Sequence, residues 1–183
     1  MTTSTPDIAH TRTAAAPRVA EEPLSATSVV GPAGADSVRV SWRGDKRYSV
    51  SRAGAPPITL DGAREAGPGP VEILLAALAA CSAIDVIDYL AKRRTPAETL
   101  DIAVEGVRNA TAPRRVLSVW LVFELSGPAI GADDAERGVA LAVGTYCSVV
   151  ATLSPDVRVV SRLVLNGVPR GDVVQRQGAV VPP

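Results

Sequence analysis

The sequence predicts an α+β fold, and three observations support this prediction. Residues 117–125 alternate apolar and polar side chains without interruption, which indicates a half-buried strand. Residues 71–94 follow a helical pattern and are apolar nearly all round between residues 73 and 84, which is typical of a buried helix. The predicted order is β-β-β-α-β-β-α-β. Because strands and helices do not alternate strictly, this order argues against a doubly wound parallel sheet.

Each element follows from a local signal in the chain. The predicted strands cover residues 38–42, 46–52, 58–60, 100–105, 117–125 and 157–165. Gly44 and Asp45 predict the turn of the first hairpin, and the Gly/Pro-rich stretch 62–70 predicts a loop that ends at a helix start. Three acidic residues within 133–136 mark the first turn of a second helix, which is expected to run to about residue 153 and to stop at Ser154-Pro155.

The predicted elements define one domain with two tails. Residues 1–36 are rich in Thr, Ala, Pro and Ser with no steady apolar period, so they are predicted to be disordered. The folded domain is expected over residues 37–167. The last segment, 168–183, contains helix and strand breakers and has no evident partner, so it is predicted to be a loose tail.

Composition excludes several functions. The 183 residues contain 19 Lys+Arg and 19 Asp+Glu, and zero net charge argues against nucleic acid as a partner. A lone histidine, His10, argues against Ser-His-Asp or Cys-His catalysis, and no metal or cofactor is expected. No signal peptide and no uncharged apolar run of about 18–20 residues is evident, so a cytoplasmic protein without a membrane partner is predicted.

The two cysteines are the candidate chemical groups. Cys81 lies midway along the first predicted helix and Cys147 near the middle of the second. Taken alone, each is better explained as a small buried apolar residue than as a redox group, because cysteine is among the most buried residue types. The alternative is a redox role, which requires the fold to bring the two thiols together.

The residues around the cysteines resemble a known family. The stretch GPGPVEILLAALAACSAIDV, residues 67–86, followed by TYCSV at residues 145–149, resembles the superfamily of osmotically inducible protein C and organic hydroperoxide resistance protein, abbreviated OsmC/Ohr. The resemblance covers about residues 37–166 and includes Trp-x-Gly-Asp from Trp42 to Asp45. The segments CSAIDV and YCSV are most similar to a less characterised OsmC-like branch.

This resemblance implies an OsmC-like fold, with antiparallel sheets around two central buried helices, in an intertwined homodimer. It also implies a thiol-dependent peroxidase that reduces organic hydroperoxides. Cys81 would attack the hydroperoxide and become a sulfenic acid, and Cys147 would resolve it as a disulfide. A dithiol reductant would then restore both thiols.

Activation of the thiol is the point at which the sequence departs from the family pattern. The family's peroxidases place a Glu directly after the helix-start Pro, to hold an activating Arg. Here Val71 follows Pro70 and the acid is Glu72. Nine residues separate Glu72 from Cys81, which places them on opposite helix faces. Glu72 is therefore expected to hold the activating Arg for Cys81 only if the helix begins irregularly.

Arg64 is the candidate for the activating arginine, with Arg43, Arg47 and Arg52 as alternatives delivered by a dimer partner. Two further residues, Asp85 and Asp88, are expected to share the helical face of Cys81. Unpaired carboxylates there would raise the pKa of its thiol, whereas as a polar stripe they would simply be solvated.

The sequence and the resemblance therefore support two hypotheses from different classes. The favoured one is the peroxidase with Cys81, Cys147, Glu72 and Arg64 as site residues. The alternative is a non-enzymatic OsmC-like dimer that binds a small apolar ligand or serves a structural role in stress response. A structural disulfide between the two cysteines is a third possibility, disfavoured by a cytoplasmic location.

Overall fold

The computed structural model describes residues 35–176. They divide into two compact units, one that extends to Leu60 and one that begins at Asp61. The division differs from the single domain predicted over residues 37–167, because the first three strands form a sheet of their own. The predicted disorder of the N-terminal extension lies outside the described residues, except at residues 35 and 36, which have no regular structure.

The elements occur in nearly the predicted order. The strands are β1 Arg39–Trp42, β2 Arg47–Ser51, β3 Ile58–Asp61, β4 Thr99–Arg108, β5 Val116–Ser126, β6 Arg158–Leu165 and β7 Val168–Arg176. The helices are α1 Pro70–Lys92, α2 Ala132–Leu141 and α3 Ser148–Thr152, and a π-helical turn, Ala142–Tyr146, follows α2. The α+β class is confirmed.

The first unit is built on a hairpin. β1 and β2 pair antiparallel, with Trp42 opposite Tyr48. Gly44 and Asp45 form the predicted turn with φ angles of 98° and 46°, the left-handed conformations that a tight hairpin turn requires. The indole N–H of Trp42 donates a hydrogen bond to the carbonyl of Asp45 at 2.9 Å. The turn residues are therefore fixed to the strand that precedes them.

The second unit contains a four-stranded sheet in the order β4-β5-β6-β7. The β4–β5 and β6–β7 pairs are antiparallel, but β5 and β6 are parallel. The prediction of purely antiparallel sheets is wrong at this pair. The helical segment between β5 and β6 carries the chain back to the end of the sheet where β5 began, and such a crossover produces a parallel pair.

The predicted loose tail is also wrong over most of its length. Residues 168–176 form β7, which pairs with β6 along the edge of the sheet. Asn166 and Gly167, with φ angles of 49° and 78°, supply the tight turn that makes this pairing possible. The breakers Pro169 and Gly171 lie within this edge strand and do not end it. Residues 177–183 lie outside the described part of the chain.

Helix α1 is buried on one side only within a single chain. Its buried side packs against β4, α2 and α3 and consists of Leu75, Leu78, Ala79, Ser82, Val86 and Leu90. Leu74, Ile84 and Ile87 are exposed, with Ile84 at 63%. The expectation of a helix buried all round is therefore not met within one chain. By length and composition alone, α1 is also the one helix among the described residues that would suffice to cross a membrane.

Candidate functional site

The start of α1 is fixed by local chemistry. Gly69 is the N-cap and Pro70 the first helical residue, where a missing N–H costs no hydrogen bond. The Glu72 carboxylate accepts a hydrogen bond from the Gly69 N–H at 2.7 Å and so caps the helix. The second oxygen of the same carboxylate lies 2.8 Å from Arg64 Nε. Glu72 therefore links the helix start to the preceding loop.

The loop that carries Arg64 is organised around a buried carboxylate, Asp61. Its two oxygens accept hydrogen bonds from the N–H groups of Ala63, Glu65 and Ala66 at 2.8, 3.2 and 3.0 Å. Arg64 has a φ of 63°, the left-handed region that side chains other than glycine rarely adopt. Three hydrogen bonds to one carboxylate stabilise this conformation, and the guanidinium then reaches Glu72.

Arg64 and Glu72 are thus paired, but the irregular helix start that would bring Glu72 to the face of Cys81 is not found. α1 begins regularly at Pro70, and the left-handed loop residue brings the arginine to the acid instead. Nine residues at 1.5 Å rise still separate Glu72 from Cys81 by about 13 Å along the helix axis. Within one chain, Arg64 and Glu72 therefore form a pair apart from the thiols.

The second helix is interrupted at Cys147. After α2 the chain passes through the π-helical turn, closed by a hydrogen bond from the Cys147 N–H to the Ala142 carbonyl at 2.9 Å. Cys147 itself is extended, with ψ of 105°, and α3 begins at the next residue. The expectation of one continuous helix with Cys147 near its middle is wrong. A hydrogen bond between residues five positions apart, where a regular α-helix has four, widens the turn and ends the regular helix there.

The break brings the second thiol to the first helix. The Cys147 sulfur accepts a hydrogen bond from the Val150 N–H at 3.4 Å, as an N-cap side chain does. It lies 3.8 Å from the carbonyl of Leu78, one helical turn before Cys81. The Cys81 sulfur lies 3.7 Å from the hydroxyl oxygen of Ser148. Both cysteines are free thiols, Cys147 buried and Cys81 half-buried.

The two thiols have opposite pKa shifts. Burial raises the pKa of Cys81, but hydrogen bonds to its sulfur outweigh burial, so the pKa of this thiol is lower than its ordinary value. The donors are the Val149 N–H, the Cys147 thiol, and the hydroxyl and N–H of Ser148. Such donors stabilise a thiolate, and the thiolate is the reactive form of cysteine. The thiolate form is therefore favoured at Cys81.

Burial is also the largest influence on Cys147 and raises the pKa of its thiol, and the negative charge of Cys81 raises it further. The Ser82 hydroxyl acts in the opposite direction. Ser82 is fully buried, and its oxygen makes no hydrogen bond of regular geometry to the described part of the chain. Cys147 is therefore the thiol that keeps its proton and can donate it to the Cys81 sulfur.

The largest influences on the pKa of Cys81 include neither Asp85 nor Asp88, which favours the alternative that these residues form a solvated polar stripe. These influences include no arginine either. Hydrogen-bond donors at the start of α3 lower this pKa instead. Among residues 35–176, no group of three or more His, Cys, Asp or Glu side chains is arranged to hold a metal ion.

Sequence reasoning missed two residues of this arrangement. Ser148 directly follows Cys147 in the chain, but its contact with Cys81 depends on the helix break. Asp61 directly precedes the Gly/Pro-rich loop, and an acidic residue before such a loop is a recognisable signal for a carboxylate that binds turn N–H groups.

Fold and site together define an α+β protein with a dithiol formed between two helical segments. The family model described as OsmC-like protein matches residues 62–162. Protein YhfA of Escherichia coli K12 is 30% identical over 122 residues, which are 66% of this chain and 91% of that protein. The chain therefore belongs to the OsmC-like family, as the sequence resemblance predicts.

Solved structures agree on the fold. An OsmC-like protein from Mycoplasma pneumoniae has a TM-score of 0.62 at 18% identity, over 70% of this chain and 95% of that one. The organic hydroperoxide resistance protein OhrB of Bacillus subtilis has a TM-score of 0.50 at 14% identity, over 72% of this chain and 98% of that one. At these identities the likeness establishes the fold alone.

Proposed function

We propose that this protein is a thiol-dependent peroxidase that reduces organic hydroperoxides. The observation that carries the proposal is the pairing of the two thiols, with the pKa of Cys81 lowered and that of Cys147 raised. Cys81 is thereby prepared to attack the hydroperoxide as a thiolate, and Cys147 to react afterwards with the oxidised Cys81 as a thiol. Similarity to a protein named for organic hydroperoxide resistance supports the choice of substrate.

The proposed reaction has three steps. The Cys81 thiolate attacks the terminal oxygen of the hydroperoxide, the O–O bond breaks, and the alkoxide takes a proton to leave as an alcohol. Cys81 is then a sulfenic acid, oxidised by two electrons. The Cys147 sulfur attacks the Cys81 sulfur, water leaves, and a disulfide forms. A dithiol reductant returns both cysteines to thiols and becomes a disulfide itself.

The positive charge for the first step is proposed to come from Arg64, held by Glu72. The Arg64 side chain is 62% exposed although it is ion-paired, so its guanidinium is accessible to a second molecule. Because Arg64 does not reach Cys81 within one chain, this role requires the homodimer. Replacement of Arg64 with Ala should then lower the rate of peroxide reduction by the homodimer.

The proposed assembly is an intertwined homodimer. Exposed Leu74, Ile84 and Ile87 on α1 support it, because a soluble chain rarely leaves the side of an apolar helix open to water. In the N-terminal unit, Val40 and Trp42 of β1, and Val38 just before it, are also exposed. A cytoplasmic location is proposed as well, since a reducing compartment supplies the dithiol.

A non-enzymatic dimer that binds a small apolar ligand is the second candidate. The separation of the Arg64–Glu72 pair from the thiols favours it, because it leaves Cys81 without an arginine in its own chain. The two candidates differ in what a hydroperoxide does to the cysteines. Under the binding hypothesis, both thiols stay reduced.

The deciding experiment is mass spectrometry of the thiols after a stoichiometric dose of cumene hydroperoxide, followed by hydroperoxide consumption with dithiothreitol. The peroxidase proposal predicts a Cys81–Cys147 disulfide and consumption that Cys81→Ser abolishes. Ser154→Ala, whose hydroxyl bonds Asp156 and not a thiol, is the control and should retain disulfide formation. Thiols that remain free, or consumption unchanged in Cys81→Ser, would overturn the proposal.

A further inference from the structure

Ser82 places a hydroxyl group on the buried side of α1, next to Cys81 in the chain. Ser82 is 0% exposed, and its oxygen makes no hydrogen bond of regular geometry to the described part of the chain. A buried hydroxyl without a partner is costly, whereas alanine would fill the same helical position without that cost. Packing alone therefore does not account for a serine here, and a chemical role is indicated.

The partner that a helical serine ordinarily uses is in contact with another group. Such a hydroxyl can donate to the carbonyl four residues earlier in the helix, which for Ser82 is that of Leu78. Ser82 does not make this bond, and the Cys147 sulfur lies 3.8 Å from the Leu78 carbonyl instead. The hydroxyl and the sulfur are therefore neighbours at one carbonyl. Burial raises the pKa of the Cys147 thiol, and the Ser82 hydroxyl acts to lower it, in agreement with this placement.

The second step of the proposed reaction changes what the Cys147 sulfur requires. As a thiol, the sulfur can donate its proton toward the Leu78 carbonyl. When it loses that proton to attack Cys81, its negative charge faces a carbonyl oxygen, which is unfavourable. Cys147 is 2% exposed, so water cannot solvate the charge. The Val150 N–H, 3.4 Å away, supplies one donor, and the Ser82 hydroxyl is the side-chain donor beside it.

We propose that Ser82 is the positioning residue of this step: its hydroxyl donates a hydrogen bond to the Cys147 sulfur while that sulfur attacks the Cys81 sulfenic acid. This inference rests on the proposed peroxidase function. The S–S bond forms as the S–O bond of the sulfenic acid breaks, and the proton released from Cys147 joins the leaving hydroxide as water. Ser82 keeps its own proton and is neither oxidised nor reduced.

The first measurement is the titration of Cys147 in Cys81→Ser protein, where it is the remaining cysteine, by NMR of isotope-labelled cysteine. No hydroperoxide is present, so the contact is tested separately from the peroxidase activity. Addition of Ser82→Ala should raise the pKa of Cys147, because a donor to its thiolate is lost. Ser161→Ala in the same background removes another buried hydroxyl, on β6, and is the control that should leave this pKa unchanged.

The second measurement is the rate of Cys81–Cys147 disulfide formation after one equivalent of cumene hydroperoxide, by rapid quenching and mass spectrometry. Ser82→Ala should form the sulfenic acid at nearly the wild-type rate. It should then convert the sulfenic acid to the disulfide about threefold to tenfold more slowly at neutral pH, because less of Cys147 is thiolate. The difference should narrow as the pH rises, since both proteins then present a thiolate. A merely structural effect would not follow this ionisation.

An unchanged pKa of Cys147 in the Ser82→Ala background, or disulfide formation at the wild-type rate at every pH, would overturn this inference and leave the proposed function intact. A wild type that forms no disulfide would overturn the proposed function and this inference with it. If Ser82→Ala does not fold, the NMR signal of Ser82 in Cys81→Ser protein replaces it. That signal should move with the same midpoint as Cys147, and a signal that stays fixed would contradict the assigned contact.

Discussion

The Cys81 sulfur and the Ser148 hydroxyl oxygen lie 3.7 Å apart although 67 positions separate the two residues in the chain. Ser148 directly follows Cys147, and the break between α2 and α3 therefore delivers a second thiol and a hydroxyl to Cys81 together. The N–H groups of Ser148 and Val149 add to these donors. A local interruption of one helix thus creates the environment that lowers the pKa of the Cys81 thiol.

Replacement of Ser148 with Ala should slow the alkylation of Cys81. The Ser148 hydroxyl is one of the donors that lower the pKa of Cys81, so its removal leaves less thiolate at neutral pH. Loss of a hydrogen bond of about 1 kcal/mol corresponds to roughly fivefold slower reaction. The measurement is the iodoacetamide rate at Cys81 by mass spectrometry. Ser154→Ala, whose hydroxyl bonds Asp156 instead, is the control, and an unchanged rate in Ser148→Ala would contradict the assigned cause.

Replacement of Cys147 with Ser should make Cys81 vulnerable to irreversible oxidation. Without a resolving thiol, the proposed sulfenic acid persists and a second equivalent of hydroperoxide converts it to sulfinic acid. We expect a mass increase of two oxygen atoms on Cys81 in Cys147→Ser and a disulfide in the wild type under the same excess of hydroperoxide. An identical oxidation pattern in both proteins would show that Cys147 does not resolve Cys81.

Replacement of Asp61 with Ala should destabilise the second unit. The change leaves three loop N–H groups without their buried acceptor, at a cost of about 3 kcal/mol in the free energy of unfolding if each contributes about 1 kcal/mol. Urea denaturation measures this loss. Asp101→Ala, at an exposed position on β4, is the control. A loss no larger than that of the control would mean that the loop does not depend on Asp61.

Replacement of Ile84 with Asp should yield a monomer if α1 forms the dimer interface. Ile84 is 63% exposed in one chain, and a charge buried between two copies would be desolvated without a partner. Analytical ultracentrifugation should show a dimer for the wild type and a monomer for the variant. Val168→Asp, 55% exposed on β7, is the matched control and should remain dimeric. A wild-type monomer would refute the proposed assembly, and a dimeric Ile84→Asp would place the interface elsewhere.

The contribution of the Asp156–Arg115 ion pair to stability should depend on pH only at acid pH, below about pH 4. Hydrogen bonds from Arg115, and then from Ser154, lower the pKa of Asp156 from 3.8 to about 2. Because the pKa is lower in the folded state, the folded state is favoured above about pH 4, and this contribution is lost as the pH falls from 4 to 2. The difference in the free energy of unfolding between the wild type and Asp156→Asn should therefore decrease as the pH falls from 4 to 2.

Arg115→Gln provides the internal control for this pH dependence. It removes the partner without changing the carboxyl group, so the free energy of unfolding of this variant should change less than that of the wild type between pH 4 and pH 2. Chemical denaturation at intervals from pH 6 to pH 2 measures both variants. A stability gap between wild type and Asp156→Asn that stays constant to pH 2 would contradict the lowered pKa.

The elements that local patterns could predict were those with uninterrupted periodicity. β5 matches the alternation of residues 117–125 closely, and α1 begins and ends within two residues of the predicted helix over 71–94. β7 escaped prediction because it contains Pro169 and Gly171, which argue against a strand in the sequence but are tolerated at the edge of a sheet. The parallel β5–β6 pair escaped because strand direction depends on where the intervening helices place the chain.

The sequence by itself determined the family, the α+β class and the two cysteines, because these depend on composition, periodicity and short motifs. Only the tertiary structure decided how the candidate site is arranged. The interruption at Cys147, the donors to Cys81 and the Arg64–Glu72 pair all depend on backbone geometry that departs from regular helix or strand. Periodicity describes regular backbone, so it gives no information about the irregular positions where the candidate site lies.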